Sequence, residues 1–114
     1  MHELPLTTNL IQMVVTECRK RNIARPKKIV VDLGMFTSYS KDSLVFYFDL
    51  LKQQELILKE STLYIHEVPG KIVCKQCRKK SIIHDVCMLV CPKCYSTDVT
   101  IEQGKEVILR EIES

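Results

Sequence analysis

The chain has 114 residues, enough for one hydrophobic core and a small appended module but too few for two full-sized domains. Hydrophobic residues make up 46% and charged residues 27%, ordinary values for soluble domains that argue against a disordered or membrane-embedded chain. The net charge of +3 is modest and is a weak signal for nucleic-acid binding.

The apolar runs are short and the cysteines are numerous. No apolar run approaches the roughly 20 residues that cross a bilayer, and no charged-then-apolar leader opens the chain, so we expect a cytoplasmic protein. In that reducing compartment, six cysteines favour metal ligands or redox centres over disulfides.

The first predicted element is an amphipathic helix from Leu6 to Arg21. Its apolar stripe recurs at steps of four residues and consists of Leu6, Leu10, Val14 and Cys18. Pro5 suits the first turn of a helix, where its missing N–H costs nothing. Cys18 is therefore predicted to be a small core residue rather than a ligand.

A strand is predicted next over Lys28–Gly34, which is rich in β-branched residues and ends at a glycine. A second helix follows the start signals Ser40 and Asp42, with an apolar face at i, i+3, i+4 and i+7 formed by Leu44, Tyr47, Phe48 and Leu51.

Two more strands are predicted, over Ser61–Val68 and Glu106–Ile112. His66 alternates with apolar neighbours in the first of them, which favours a hydrogen-bonded, partly exposed side chain. The order of elements predicts an α+β fold in which two helices pack on a small three-stranded sheet, with an inserted four-cysteine zinc module.

The predicted domain boundaries follow glycine and proline signals. Residues 1–69 form the first part of an α/β domain, residues 70–102 form the zinc-binding module after Pro69-Gly70, and residues 103–114 return as a C-terminal strand near Gly104.

The cysteine module carries the strongest local signal. Cys74 and Cys77 form one Cys-x2-Cys pair and Cys91 and Cys94 form another, with thirteen residues between them, a spacing typical of a tetrahedral Zn(II) site. Four protein ligands would leave no open position, so this zinc is predicted to be structural. The alternatives are a pair of redox dithiols or unliganded core cysteines. Either Cys87 or His84 could compete as a ligand, although packing or surface exposure explains both more simply.

The first three residues, Met1-His2-Glu3, offer an α-amine, backbone amide nitrogens and an imidazole. This nitrogen-rich set suits the square-planar or tetragonal coordination that Ni(II) accepts. By itself the signal is weak, because every chain begins with methionine. A carboxylate contribution from Glu3 competes with a surface salt bridge or simple solvation as the role of that residue.

In combination, several motifs resemble one known family. They are Met1-His2-Glu3-Leu4, Leu33-Gly34 after the first strand, Leu44 to Leu51 in the second helix, Glu67-Val68-Pro69-Gly70, and the two cysteine pairs. In this order, over essentially the whole chain, they are similar to the HypA/HybF family of hydrogenase nickel-incorporation proteins.

The resemblance implies a non-enzymatic nickel metallochaperone. It implies Ni(II) held as transient cargo by His2 and nearby N-terminal nitrogens, with Met1 and Glu3 as further candidates, and Zn(II) held by Cys74, Cys77, Cys91 and Cys94. The implied partners are a nickel-handling GTPase and the hydrogenase large subunit, and the client is nickel-iron hydrogenase or urease. No membrane or nucleic-acid partner is expected, and the protein is expected to be a monomer or a homodimer.

Two other functions stay open from the residues alone. A zinc-ribbon nucleic-acid-binding protein would use Lys75, Arg78, Lys79 and Lys80 on phosphates. A thiol-disulfide enzyme would use one Cys-x2-Cys pair, although neither pair opens a helix after a strand as a thioredoxin-like site does.

Overall fold

The structure is a computed structural model that describes residues 3–84 and 89–114. The chain divides into two compact units. The α/β unit comprises Met1–Asp32, Tyr39–His66 and Ile108–Ser114, and the cysteine unit comprises Leu33–Ser38 and Glu67–Val107. The sequence-based domain boundaries at 69/70 and 102/103 stay a prediction.

The first helix, α1, spans Glu3–Arg21 and begins three residues before the predicted start. It buries the predicted positions Leu10, Val14 and Cys18. The helix ends at Asn22, which adopts the left-handed conformation, with a φ of 57°, that glycine usually has at this position. The Ile23 N–H then donates to the Cys18 carbonyl at 2.9 Å. Asparagine tolerates this left-handed conformation better than most side chains, which explains why the helix stops there.

The second helix, α2, spans Lys41–Leu51. Ser40 is its N-cap, as predicted, and its hydroxyl accepts a hydrogen bond from the Ser43 N–H at 3.3 Å. Leu44 and Phe48 are fully buried. Within residues 3–84 and 89–114, neither helix is both long enough and apolar enough to cross a membrane.

The described residues also form six strands: β1 Lys28–Gly34, β2 Thr62–Val68, β3 Gly70–Cys74, β4 Lys80–Ile83, β5 Val99–Gln103 and β6 Val107–Glu113. The first sheet has the order β2-β1-β6. The last strand therefore returns to the sheet of the first, and the predicted architecture of two helices with a three-stranded sheet is confirmed. Ile29, Val31 and Leu33 of the central strand are buried, as alternation in a strand with one covered face requires.

The second sheet lies in the cysteine unit and was not predicted. It has the order β4-β3-β5, and both neighbours run antiparallel to β3. Ile72 at its centre stands opposite Ser81 on one side and Ile101 on the other, and only 1% of Ile72 is exposed. This sheet gives the cysteine unit a small apolar core, and its central strand ends at Cys74.

A close backbone approach in the cysteine unit requires glycine at position 34. A Cβ on Gly34 would lie 2.2 Å from the Gly104 carbonyl oxygen, far inside any real contact. The same carbonyl accepts the Phe36 N–H at 2.7 Å. Gly104 itself has a φ of 102°, a backbone conformation that favours glycine.

Helix α2 allows a matched test of the core. Phe48→Ala should lower the free energy of unfolding by about 3–5 kcal/mol, because the ring is fully buried and its removal leaves a cavity. Phe46→Ala removes the same atoms from a side chain that is 62% exposed and should cost less than about 1 kcal/mol. Urea unfolding followed by helical circular dichroism measures both, and equal losses would contradict the assignment of the buried face.

Candidate metal centre

The four cysteines of the two pairs come together in the cysteine unit. Their sulfur atoms all lie within 4.8 Å of one another. Cys74 Sγ lies 3.5 Å from Cys94 Sγ, and Cys77 Sγ lies 3.6 Å from Cys91 Sγ. Sulfurs bound to one tetrahedral ion at about 2.3 Å would be about 3.8 Å apart. The spacing therefore fits a single metal ion with four thiolate ligands.

The same backbone turn is built twice around these sulfurs. In residues 74–79, here called the first knuckle, the Cys74 N–H donates to the Lys79 carbonyl at 3.0 Å. In residues 91–96, the second knuckle, the Cys91 N–H donates to the Ser96 carbonyl at 2.9 Å. Each knuckle thus closes a loop that turns both of its sulfurs toward the same point.

Backbone N–H groups stabilise the charged form of the first sulfur in each knuckle. The Cys77 N–H donates to Cys74 Sγ at 3.4 Å, and this bond is the main cause that lowers the pKa of Cys74. Desolvation acts in the opposite direction on Cys91, but bonds from the N–H groups of Cys94 and Lys93 outweigh it and lower the pKa of Cys91 to about 6.

The pKa of Cys94, the last of the four cysteines, shifts in the opposite direction. The Ser96 N–H favours the thiolate of Cys94, yet the neighbouring sulfurs, Cys74 first, outweigh it and raise the pKa of Cys94 to about 12. Four sulfurs this close cannot all carry a negative charge unless a cation lies among them. A divalent metal ion supplies that charge, so the electrostatics of the cluster agree with its geometry.

The cluster is only partly enclosed. Cys74 and Cys91, the first cysteines of the two pairs, are buried, whereas Cys77 is half-buried and Cys94 is exposed. The donor set is complete with four sulfurs, so it leaves no position for a substrate or a water molecule on a tetrahedral ion.

Of the three N-terminal candidates, the structure describes Glu3. Met1 and His2 lie outside the described residues. Glu3 is the first residue of α1, and its Oε1 accepts a hydrogen bond from the Ser40 N–H at 3.2 Å. This bond is the main cause that lowers the pKa of Glu3. The negatively charged carboxylate is therefore tied to the N-cap of α2.

The remaining predicted residues fall as follows. Cys18 is buried in α1 with 1% exposure, and burial raises the pKa of its thiol, which agrees with a core role. His84 is exposed. Cys87 lies outside the described residues, so its competition for the metal is untested.

Sequence reasoning missed two sets of contacts. The backbone donors of the knuckles leave no trace in residue type, because any residue supplies an N–H. The second set lies on the first sheet, where Asp32 Oδ1 is 3.1 Å from His66 Nδ1 and 3.3 Å from an Arg110 guanidinium nitrogen. His66 is thus hydrogen-bonded and exposed as predicted, but partners 34 and 44 residues away were not visible in its alternation.

Comparisons with known proteins agree with one family over the whole chain. Residues 1–114 match the family model described as "Hydrogenase/urease nickel incorporation, metallochaperone, hypA". The chain is 32% identical to a hydrogenase maturation factor HypA of Moorella thermoacetica, with 93% of this chain and 92% of the relative covered. It is also 32% identical to a namesake of Caldanaerobacter subterraneus subsp. tengcongensis, with 99% and 98% covered.

A solved structure gives the same result. The chain is similar to the solution structure of the Ni metallochaperone HypA from Helicobacter pylori, with a TM-score of 0.72 and 26% identity. The match covers 97% of this chain and 95% of that one. The likeness therefore extends over both units.

Cysteine substitutions should separate ligands from core residues. Cys91→Ser should abolish binding of one divalent ion, because the geometry and the N–H donors are built around a thiolate at that position. Cys18→Ser changes the same atoms outside the cluster and should keep the full metal content. Metal analysis after gel filtration, with Co(II) as a spectroscopic probe of tetrahedral sulfur ligation, measures both. Retention of the ion by Cys91→Ser would rule out the four-sulfur site.

Proposed function

Because the chain belongs to the HypA family of hydrogenase/urease nickel-incorporation metallochaperones, we propose that it binds Ni(II) at its N-terminus and delivers it during maturation of nickel-iron hydrogenase. The observation that carries this proposal is the family match over residues 1–114, which includes the Met1-His2-Glu3 start. Urease is a second client in the proposal, because one relative from Helicobacter pylori is named a hydrogenase/urease maturation factor.

The nickel ligands in this proposal are nitrogen atoms. The α-amine of Met1, the imidazole of His2 and the backbone amide nitrogens between them supply a set that Ni(II) accepts. The carboxylate of Glu3 contributes mainly as an anchor, since Oε1 already accepts the Ser40 N–H. In a capping box, the side chain of the third helical residue accepts a hydrogen bond from the N–H of the N-cap residue. The third residue of α2 is Ser43, whose side chain is short, and the carboxylate of Glu3 accepts the Ser40 N–H instead.

The second metal in the proposal is structural Zn(II) in the four-cysteine cluster. Sulfur separations of 3.5 and 3.6 Å and four thiol donors support zinc over nickel at this place, because Zn(II) favours tetrahedral sulfur. When bound, the ion neutralises charge among the sulfurs and closes the two knuckles. The metal would thus supply folding free energy to a unit with a small core.

The proposal places the protein in the cytoplasm as a carrier that catalyses no reaction. Its partners are a nickel-handling GTPase and the hydrogenase large subunit, which donate and receive the ion. Delivery requires binding that is selective but reversible, and nitrogen ligands at a chain terminus satisfy that requirement better than a closed four-sulfur site.

The N-terminal site is tested by nickel titration of untagged, zinc-loaded protein. His2→Ala, or an extension in front of Met1, should weaken Ni(II) binding at least about tenfold, because each removes a nitrogen ligand. His66→Ala is the matched control: it removes the same side chain from an exposed site on β2 and should leave nickel affinity unchanged. Calorimetry gives the affinities, and zinc analysis checks each variant.

Equal nickel affinity in the parent, the His2→Ala variant and the extended protein would overturn the N-terminal proposal. A loss of zinc in His2→Ala would also count against it, because the four-sulfur site is proposed to be independent of that imidazole.

The anchor role of Glu3 has its own test. Glu3→Gln keeps an oxygen that accepts the Ser40 N–H, whereas Glu3→Ala removes it. If the side chain acts as an anchor, nickel affinity should stay within about threefold in Glu3→Gln and fall about tenfold in Glu3→Ala, since one hydrogen bond contributes on the order of 1 kcal/mol. Equal losses in both variants would instead identify the carboxylate as a nickel ligand.

A further inference from the structure

The outer surface of the two knuckles carries three basic side chains that pair with no acidic group among the residues that the structure describes. Arg78, Lys79 and Lys93 are exposed, and within residues 3–84 and 89–114 none of them forms an ion pair. The other basic residues nearby are paired. Lys75 lies 4.0 Å from Asp98, while Lys71 and Lys80 lie 3.6 and 3.0 Å from Glu102.

These three cations lie around one place. Arg78 directly follows Cys77, and Lys93 directly precedes Cys94, whose sulfur is within 4.8 Å of that of Cys77. Between the knuckles is an open hollow of about 440 Å³ lined by Gln76, Cys77, Cys94 and Ser96. Tyr95, which is 79% exposed, follows Cys94. The knuckle surface, meaning Arg78, Lys79, Lys93 and Tyr95, is thus a basic rim with one aromatic ring.

Two residues of the knuckle surface hold a conformation that glycine would adopt at less cost. Arg78 and Tyr95 occupy equivalent positions after the second cysteine of each knuckle, and both have a φ of 61°. A non-glycine residue in this left-handed region is strained relative to glycine. Both side chains are exposed, so each knuckle presents a large side chain to solvent at the equivalent position.

We propose that the knuckle surface docks an acidic segment of a partner protein. Arg78, Lys79 and Lys93, which form no ion pair within the described part of the chain, match carboxylates by charge. The guanidinium of Arg78 can bind one carboxylate through two parallel hydrogen bonds. The exposed ring of Tyr95 provides apolar contact area at low entropic cost. The hollow between the knuckles gives such a segment a surface to lie in.

The charge balance favours a protein over a nucleic acid. Residues 70–103, which include the Glu102 paired with Lys71 and Lys80, hold six basic and three acidic residues, a balance of +3. A divalent ion with four thiolates adds −2 directly beneath the knuckle surface and leaves about +1. That charge suits a few carboxylates and is small for a phosphate backbone, and one exposed aromatic ring offers little stacking. The inference goes beyond nickel delivery and depends on the proposed function only for the ion in the cluster.

Fluorescence anisotropy tests the docking surface with the full chain in its zinc-loaded form. The probe is a labelled ten-residue peptide of alternating Glu and Gly, with a lysine peptide of equal length as its opposite. The triple variant Arg78→Gln, Lys79→Gln, Lys93→Gln should bind the acidic peptide at least about tenfold more weakly than the parent. The matched control, Lys27→Gln, Lys41→Gln, Lys59→Gln, loses the same charge from exposed positions in the α/β unit and should keep the affinity.

Amide chemical-shift mapping on the unmodified protein gives a second measurement that does not depend on any variant. The acidic peptide should shift residues 76–79 and 93–96, and 0.5 M salt should remove the effect. Equal loss in the two triple variants, shifts outside the knuckles, or tighter binding of a single-stranded oligonucleotide of the same formal charge would overturn the proposal. Nickel titration of the same samples reports separately on the N-terminal site.

Discussion

The cysteine unit depends on bringing four sulfur atoms within 4.8 Å of one another. Its sheet is small, and the strand that carries the first cysteine ends at Cys74. The two knuckles close by their own hydrogen bonds, at 3.0 and 2.9 Å. The Lys75 N–H also donates to the Asp98 carbonyl at 2.9 Å, which joins the first knuckle to the chain just after the second. Without a cation the four sulfurs repel each other as they ionise, and under the proposed function Zn(II) among them would hold the two knuckles together.

Local spacing explains why this centre could be predicted from the sequence. The spacing of two Cys-x2-Cys pairs identifies four candidate metal ligands without any information about the rest of the chain. The helices were predicted from apolar stripes such as Leu10, Val14 and Cys18. The return of β6 to the sheet of β1 followed from its position after the cysteine module. These features depend on residue type at short range, which a sequence displays directly.

The features that escaped prediction depend on backbone groups or on distant partners. Strands β3, β4 and β5 are only four or five residues long, which is too short for an alternation of apolar and polar residues to stand out. The bond from the Ser40 N–H to Glu3 joins residues 37 apart, and its donor is a backbone group that any residue would supply. The side chains of Asp32 and Arg110 contact His66 although both are distant from it in the sequence, so no local pattern predicts these contacts.

Glu3 also limits where cargo can be held under the proposed function. The helix α1 already includes Glu3, and the carboxylate of that residue is tied to the start of α2. Met1 and His2 stand directly before it, and two extended residues reach about 7 Å at most. An ion held by the amine of Met1 and the imidazole of His2 would therefore lie close to the paired helix starts. A recipient must approach that end of the helices, because the ligands are too short to carry the ion elsewhere.

The acidic segment proposed for the knuckle surface would then make a separate contact. Two weak contacts from one partner raise its local concentration without increasing the affinity of the protein for nickel.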